Sequence, residues 1–240
     1  MKKVVFILII FYFGTPAFSQ NFYGVSGYIR TPDSKTVAFK SANLGVSVVH
    51  DSKYVGENDR NFSPGDQYVY ALGVYAAAGI LPGFEVSLRH GRQLDRDGIE
   101  IYSGRTMSIK WNPFQESEKM PAFAVGIQDI LGGSCCRDFN SFYFTASKTF
   151  KTGKEIKTYA TIGLGTDLWS KITGYAYQKI KGLFGAFETN FTPYLSVMGE
   201  YDSQYFNGGL KYNFKNFISL RVLTTRFKYY AVMTDIKFSL

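Results

Sequence analysis

The chain has 240 residues and a formal net charge of +8. After the first 20 residues, no stretch reaches the roughly 18 uninterrupted apolar residues of a membrane helix, which excludes a helical span. This net charge is moderate, and the sequence contains no run of Lys or Arg. Nucleic acid is therefore disfavoured as a partner, and an acidic polymer or anionic lipid headgroups are favoured.

The first 19 residues are predicted to be a signal peptide. Lys2 and Lys3 precede the apolar run 4–13, and Ala17 and Ser19 of the sequence Ala-Phe-Ser provide small side chains at the positions that a signal peptidase needs. We expect cleavage after Ser19, which places the protein outside the cytoplasm.

Residues 20–42 follow the expected cleavage site and contain Gly24, Gly27 and Pro32. Gly and Pro weaken regular strands, so an irregular segment is favoured. A periplasmic arm, a plug and an extra strand all remain open for it. Residues 43–240 are predicted to form one β domain.

Alternation of apolar and polar residues predicts about twelve strands in this domain. For example, Val86 and Leu88 alternate with Glu85 and Arg89. The predicted strands cover 43–50, 67–78, 84–90, 105–111, 121–128, 141–150, 155–164, 181–190, 194–202, 206–214, 217–224 and 229–238. An even number leaves both chain ends on the same side.

The connections separate a membrane barrel from a soluble sandwich, because alternation alone fits both. Every second connection is short, at 81–83, 151–154, 191–193 and 215–216, with a longer one at 112–120. The connections predicted for the opposite side are long, at 51–66, 91–104, 129–140 and 165–180. This is typical of an antiparallel transmembrane β-barrel with short periplasmic turns and longer extracellular loops, in the outer membrane of a Gram-negative-type cell.

Aromatic residues make up 18% of the chain, and rings near strand ends are typical of the membrane interfaces of such a barrel. The residues expected in these interfacial girdles are Phe84, Trp111, Tyr194, Phe214, Phe217 and Tyr229.

Charged residues on the polar strand faces are predicted to point into the lumen. They are Glu85, Arg89, Lys110, Glu188, Glu200, Asp202, Lys211, Arg221, Asp235 and Lys237, together with Asp129 at the entrance to a Gly turn. Two interpretations stand: opposite charges neutralise one another and fill a small barrel, or they form a polar path or binding surface for a sugar chain.

Several short motifs in the middle of the chain resemble those of a known protein family. They are Ser-Ile-Lys-Trp at 108–111, Gln-Glu-Ser at 115–117 and the stretch 120–133, which runs from Met-Pro-Ala-Phe-Ala-Val-Gly to Asp-Ile-Leu-Gly-Gly. In this order they resemble the YjbH family of outer-membrane proteins, here in a short, single-barrel form. The resemblance implies a barrel that works with exopolysaccharide or capsule synthesis and secretion, and it supplies no catalytic residues and no cofactor.

Three functions from different classes therefore remain. The leading hypothesis is a non-enzymatic barrel that assists export or surface assembly of a polysaccharide, with the polymer and other export proteins as partners. The second is a passive channel for oligosaccharides or small solutes. The third is a lipid- or glycan-hydrolysing barrel, for which His50 with Ser52, or Glu200 with Asp202, would be the candidate groups.

The remaining reactive residues indicate no catalytic or metal site. Cys135 and Cys136 are adjacent in a predicted outer loop, where a vicinal disulfide, a bond to a partner chain and plain loop residues are all open. His50 and His90 are far apart in sequence and no second Cys pair exists, so no metal is predicted.

Overall fold

A computed structural model describes residues 19–50, 70–94, 98–132, 141–152, 156–167, 180–214 and 217–239. The expected signal peptide up to residue 18, loop 51–66, Ser52, and Cys135 with Cys136 lie outside these residues. The described residues form twelve strands: β1 (Ser41–His50), β2 (Tyr70–Leu81), β3 (Phe84–Leu94), β4 (Glu100–Phe114), β5 (Ala122–Gly132), β6 (Ser141–Thr152), β7 (Ile156–Thr166), β8 (Gly182–Asn190), β9 (Leu195–Tyr201), β10 (Phe206–Phe214), β11 (Ile218–Thr225) and β12 (Tyr229–Ser239).

The strands pair in sequence order into a closed antiparallel barrel. Closure is made by β1 and β12, whose register brings Ser41 opposite Ser239. The prediction of a twelve-stranded antiparallel barrel is confirmed. In the part of the chain that the structure describes, no helix has the length and apolar character needed to cross a bilayer.

The distribution of apolar and charged residues is the reverse of a soluble protein. Leu88 and Val74 on the outer face are each 55% exposed, whereas Lys110 and Arg221 on the inner face have no exposed surface. A soluble sandwich would bury the first pair and expose the second. The outer face is therefore the lipid-facing surface of a transmembrane barrel, and the polar face lines its interior.

Several strands are longer than their predicted bounds. Residues 91–94, 100–104 and 129–132 were expected in loops, but they extend β3, β4 and β5. Gly and charged residues in these stretches hid the strand pattern, yet they pair: Gly91 lies opposite Gly104, and Arg92 forms an ion pair with Glu100 at 3.3 Å. Residues 151–152, expected in a turn, likewise belong to β6.

Asp129 lies inside β5 and not at the entrance to a turn. The pairing of β4 with β5 is shifted beside it, and Asp129 has a positive φ of 52°. This bulge brings two consecutive side chains, those of Gln128 and Asp129, to the buried side of the strand.

The prediction that Tyr229 lies in the interfacial girdle is wrong. Trp111 and Phe214 are about half exposed on the outer face, and Tyr194 is about half exposed in the β8–β9 connection, but Tyr229 is only 5% exposed. It pairs with the buried Thr225, and every second residue of β12 from Tyr229 onward faces inward. Tyr229 therefore belongs to the barrel interior.

The short connections β2–β3, β4–β5, β6–β7, β8–β9 and β10–β11 lie at the end of the barrel where β1 begins and β12 ends. We call this the termini end. Gly83, with φ of +71°, closes the two-residue turn between β2 and β3, which requires a left-handed backbone conformation.

Candidate functional site

The residues before β1 lie inside the barrel. Every residue from 19 to 34 is buried, and the hydrogen bonds of this stretch reach inward-facing side chains of β3, β4, β6, β7, β9 and β11. We call residues 19–37 the lumenal segment. It is not a strand of the wall, since its only bridges are local ones between Gln20 and Ser26 and between Gly27 and Pro32.

Two glycines allow the segment to fold back on itself. Gly24 has a positive φ of 79°. At Gly27 a Cβ atom would collide with the backbone carbonyl of Thr31. The side chain of Asn21 stabilises the fold-back, because its Oδ1 accepts hydrogen bonds from the amides of Tyr23 and Val25.

Glu200 of β9 holds the centre of the lumenal segment. Its carboxylate accepts hydrogen bonds from the amides of Ile29, Arg30 and Thr31 at 2.9 to 3.0 Å, and from the Thr31 hydroxyl at 2.8 Å. Consecutive amides that converge in this way form an anion-binding concavity in the backbone. The site binds a carboxylate that belongs to the barrel wall.

Arg30 and Asp202 form a second attachment next to Glu200. The guanidinium pairs with Asp202 at 2.5 Å and also donates to the Tyr23 hydroxyl at 2.9 Å. Burial raises the pKa of Tyr23 to about 12, so its hydroxyl stays protonated at neutral pH. Glu200 of β9 and Asp202, directly after the end of β9, thus bind different features of the segment: its backbone amides and its one Arg.

Glu85 and Lys110 hold the segment from neighbouring strands on another side. Glu85 accepts hydrogen bonds from the amides of Ser26 and Val37 at 2.8 Å and from the Ser26 hydroxyl. Lys110 donates to the Ser26 carbonyl at 2.8 Å and pairs with Asp33 at 3.2 Å. Wall charges of both signs therefore satisfy donors and acceptors of the same turn.

Arg221 completes the attachment from β11. Its guanidinium donates to the carbonyl of Tyr28 at 3.1 Å and pairs with Asp235 of β12. Asp235 also accepts hydrogen bonds from Tyr75 and Ser219, so the ion pair lies within a connected polar network.

Neutral hydroxyl groups line the side formed by β6 and β7. Ser34 donates its amide to Ser147 and its hydroxyl to Thr145, both at 3.0 Å. The Tyr28 hydroxyl lies 2.8 Å from that of Thr161. These contacts extend the attachment of the segment across the interior.

The predicted lumen residues fall into two groups. Glu85, Lys110, Glu200, Asp202 and Arg221 contact the lumenal segment through hydrogen bonds, and the Arg89 guanidinium lies 5.4 Å from the centroid of the segment's Tyr23 ring. The others lie elsewhere on the inner wall: Glu188 with Lys211 at 3.0 Å, Asp235 with Arg221, Asp129 at the bulge, and Lys237, which is half-buried near the end of β12.

The segment residues that contact the wall, among them Ser26, Arg30, Thr31 and Asp33, were not predicted from sequence. Their only sequence signal was the spacing of Gly24, Gly27 and Pro32, which indicates tight turns but no binding partner. Much of the attachment uses backbone amides, which any residue type provides.

A cavity of about 330 Å³ remains at the termini end, between the segment and strands β6 to β10. Lys35 of the segment lies over one face of the Tyr159 ring, with its Nζ 3.3 Å from the ring centroid. Burial lowers the pKa of Lys35. The cavity is therefore walled by the segment on one side and by the inner face of the barrel on the other.

Three side chains considered for catalysis, those of Glu200, Asp202 and His50, pack against or bond to other parts of the protein. Glu200 and Asp202 are buried and hydrogen-bonded to the lumenal segment. The His50 ring packs against Tyr70 at 5.4 Å. Within the described ranges, no group of three or more His, Cys, Asp or Glu side chains could hold a metal ion.

Comparisons with known proteins place this geometry in context. The sequence model of the YjbH family, described as exopolysaccharide biosynthesis protein YbjH, matches residues 19–175, well over half of the chain, and confirms the resemblance seen in the motifs. The search of curated proteins gives no match. Among solved structures, the chain is similar to a KdgM porin, with 10% identity and a TM-score of 0.46 over 83% of this chain and 99% of that chain. It is also similar to the outer membrane protein Omp33 of Acinetobacter baumannii, with 9% identity and a TM-score of 0.45 over 86% and 100% of the two chains.

Proposed function

We propose that this chain, which belongs to the YjbH family of exopolysaccharide biosynthesis proteins, is a non-enzymatic outer-membrane barrel that assists export or surface assembly of a polysaccharide. In this proposal the lumenal segment is a plug. The barrel is closed at rest, and polymer and other export proteins are its partners.

The observation that carries the proposal is the filled lumen. A passive channel of this size needs a continuous water-filled path, but the central charges of the wall, Glu85, Lys110, Glu200 and Arg221, are each at most 4% exposed. The segment covers them and makes at least one hydrogen bond to each. This arrangement favours a regulated or structural role over free diffusion of solutes.

Electrical recording separates the proposal from a passive channel. Purified protein inserted into a planar bilayer is expected to show almost no ionic current. A stable open conductance in the wild-type protein would overturn the closed state and favour a channel.

A genetic experiment tests the polysaccharide role. Deleting the gene is expected to reduce the surface polymer, and the wild-type gene or a His50→Ala variant is expected to restore it. Unchanged polymer in the deletion strain would contradict the role. Purified protein incubated with the polymer or with phospholipid is expected to release no product, and any product formation that needs His50 would favour the hydrolase.

A further inference from the structure

The cavity at the termini end differs from the rest of the interior because its charges are not balanced. Its two acidic lining residues are both engaged in ion pairs, Glu188 with Lys211 at 3.0 Å and Asp33 with Lys110 at 3.2 Å. Lys151 and Lys157 also line it. The cavity wall therefore carries an excess of positive charge.

Lys151 and Lys157 are held next to each other by the strand register. They lie directly opposite in the β6–β7 pair and both belong to the inward-facing set of their strands. Like charges in directly opposed positions destabilise a sheet. Such a lysine pair at the mouth of a cavity is suited to an anion.

The cavity also offers groups for hydroxyls. The Oδ1 atom of Asn213, another lining residue, is buried and has no hydrogen-bond partner within the described ranges. A buried acceptor of this kind is costly unless a ligand or water donates to it. Asn190 lies on the same wall, with its Oδ1 bonded to Ser196. Cations and amide groups together match a ligand with both a carboxylate and hydroxyls.

The volume sets the size of that ligand. Small-molecule pockets occupy about 300–1,000 Å³, so a cavity of about 330 Å³ accepts a short saccharide and not a folded macromolecule. Because the cavity lies at the termini end, its ligand reaches it from that end of the barrel.

We infer that this cavity binds an acidic saccharide, with a sugar carboxylate at Lys151 and Lys157 and a sugar hydroxyl donating to Asn213. The inference deepens the proposed function and rests on it, since it names the class of polysaccharide that the barrel handles. It predicts a polymer with uronate-type units.

Calorimetric titration of the full-length protein in detergent tests the inference. The probe is a short oligogalacturonate, a chain of uronic acids, and the comparison is the same oligomer with its carboxylates methyl-esterified. The acidic oligomer is expected to bind, with an affinity that falls as salt is raised, and the esterified oligomer at least about tenfold more weakly. Equal binding of the two would overturn the carboxylate contact.

Variants locate the site. The double variant Lys151→Gln with Lys157→Gln is expected to weaken binding of the acidic oligomer about tenfold or more, because hydrogen bonds to charged groups are lost. Lys119→Gln, at the same end but outside the cavity, is the matched control and is expected to bind like wild type. All three substituted positions are exposed, and the heat-dependent gel mobility of the barrel verifies folding.

Two results would overturn the inference: equal weakening by Lys119→Gln, and displacement of the oligomer by inorganic phosphate at equal concentration, which would indicate a general anion site. Failure here is distinct from failure of the proposed function. A protein that restores surface polymer and carries no current, yet binds no acidic oligomer, would keep the proposed function and refute only the ligand class.

Discussion

Replacement of Glu200 by Gln is the sharpest test of the plug. The substitution keeps the side-chain size but removes the negative charge. In the wild-type protein, the charged carboxylate accepts hydrogen bonds from the amides of Ile29, Arg30 and Thr31 and from the Thr31 hydroxyl. Hydrogen bonds to charged groups contribute about 1.5–3 kcal/mol each. These donors share one carboxylate, so their contributions do not add.

The expected loss is that of one hydrogen bond to a charged group, about 1.5–3 kcal/mol. Gln retains one acceptor oxygen, but its NH2 group is a donor that faces other donors, which places Glu200→Gln at the upper end, near 3 kcal/mol. That free energy corresponds to an increase of roughly 100-fold in the population with the segment released.

Hydrogen exchange of the backbone amides measures this population directly. In Glu200→Gln, amides of residues 26–34 are expected to lose protection by about two orders of magnitude, while amides of the wall strands keep theirs. Glu188→Gln is the matched control, because Glu188 bears the same charge on the same inner face and hydrogen-bonds Lys211. Equal protection of residues 26–34 in both variants would refute the attachment of the segment by Glu200.

Three further perturbations test other parts of the structure. Gly27→Ala is expected to displace the lumenal segment, because the Cβ atom of the new Ala side chain would collide with the Thr31 carbonyl. The expected cost of this overpacking is about 1–3 kcal/mol. Loss of exchange protection in the segment alone would support this expectation, and unchanged protection would contradict it. Leu88→Arg on the lipid-facing side is expected to lower the free energy of unfolding in bilayers by about 2–4 kcal/mol if Leu88 lies near the midplane. Leu88→Ile is the control. Equal urea midpoints for the two variants would contradict a lipid-facing position of Leu88. Tyr23 has a pKa of about 12 in the folded protein against 10.0 for the free group, so its contribution to stability is complete below pH 10 and is lost as the pH rises towards 12. Tyr23→Phe is therefore expected to reduce alkaline destabilisation between these values, and identical pH profiles would exclude this role.

The wall of the barrel could be predicted from sequence because its signal is local. A two-residue period places Val86 and Leu88 on one face and Glu85 on the other, and membrane strands have a narrow range of lengths. Strand ends were predicted less well where the pattern lost its apolar residues, as at Gly91 and Gly104, which pair through backbone atoms alone. Tyr229 was misassigned because its ring suggested an interface, whereas its parity within β12 placed it inside.

For the contacts inside the barrel, the sequence predicted the wall residues but not the groups that they bind. Glu85, Lys110 and Glu200 were expected in the lumen from their strand faces, but their partners were not, since Glu200 binds backbone amides that leave no mark in the side-chain sequence. Opposite charges on the wall suggested that the wall neutralises itself. That interpretation holds for Glu188 with Lys211, while Lys110 pairs with Asp33 of the segment.

This division of the charges has a consequence for how firmly the segment is held. In an empty lumen, Glu85, Glu200 and Lys110 would be hydrated, so release of the segment exchanges protein hydrogen bonds for bonds to water, and each exchange costs far less than the bond in isolation. The segment also buries apolar side chains against the wall: Phe22, Tyr23 and Ile29 belong to one buried cluster with Met198, Leu223 and Met233 of the inner face. Full burial of one such side chain contributes about 1.5–3 kcal/mol. The retention of the segment therefore depends on this apolar cluster together with the polar network, and a ligand or partner that supplies equivalent donors replaces only the polar part.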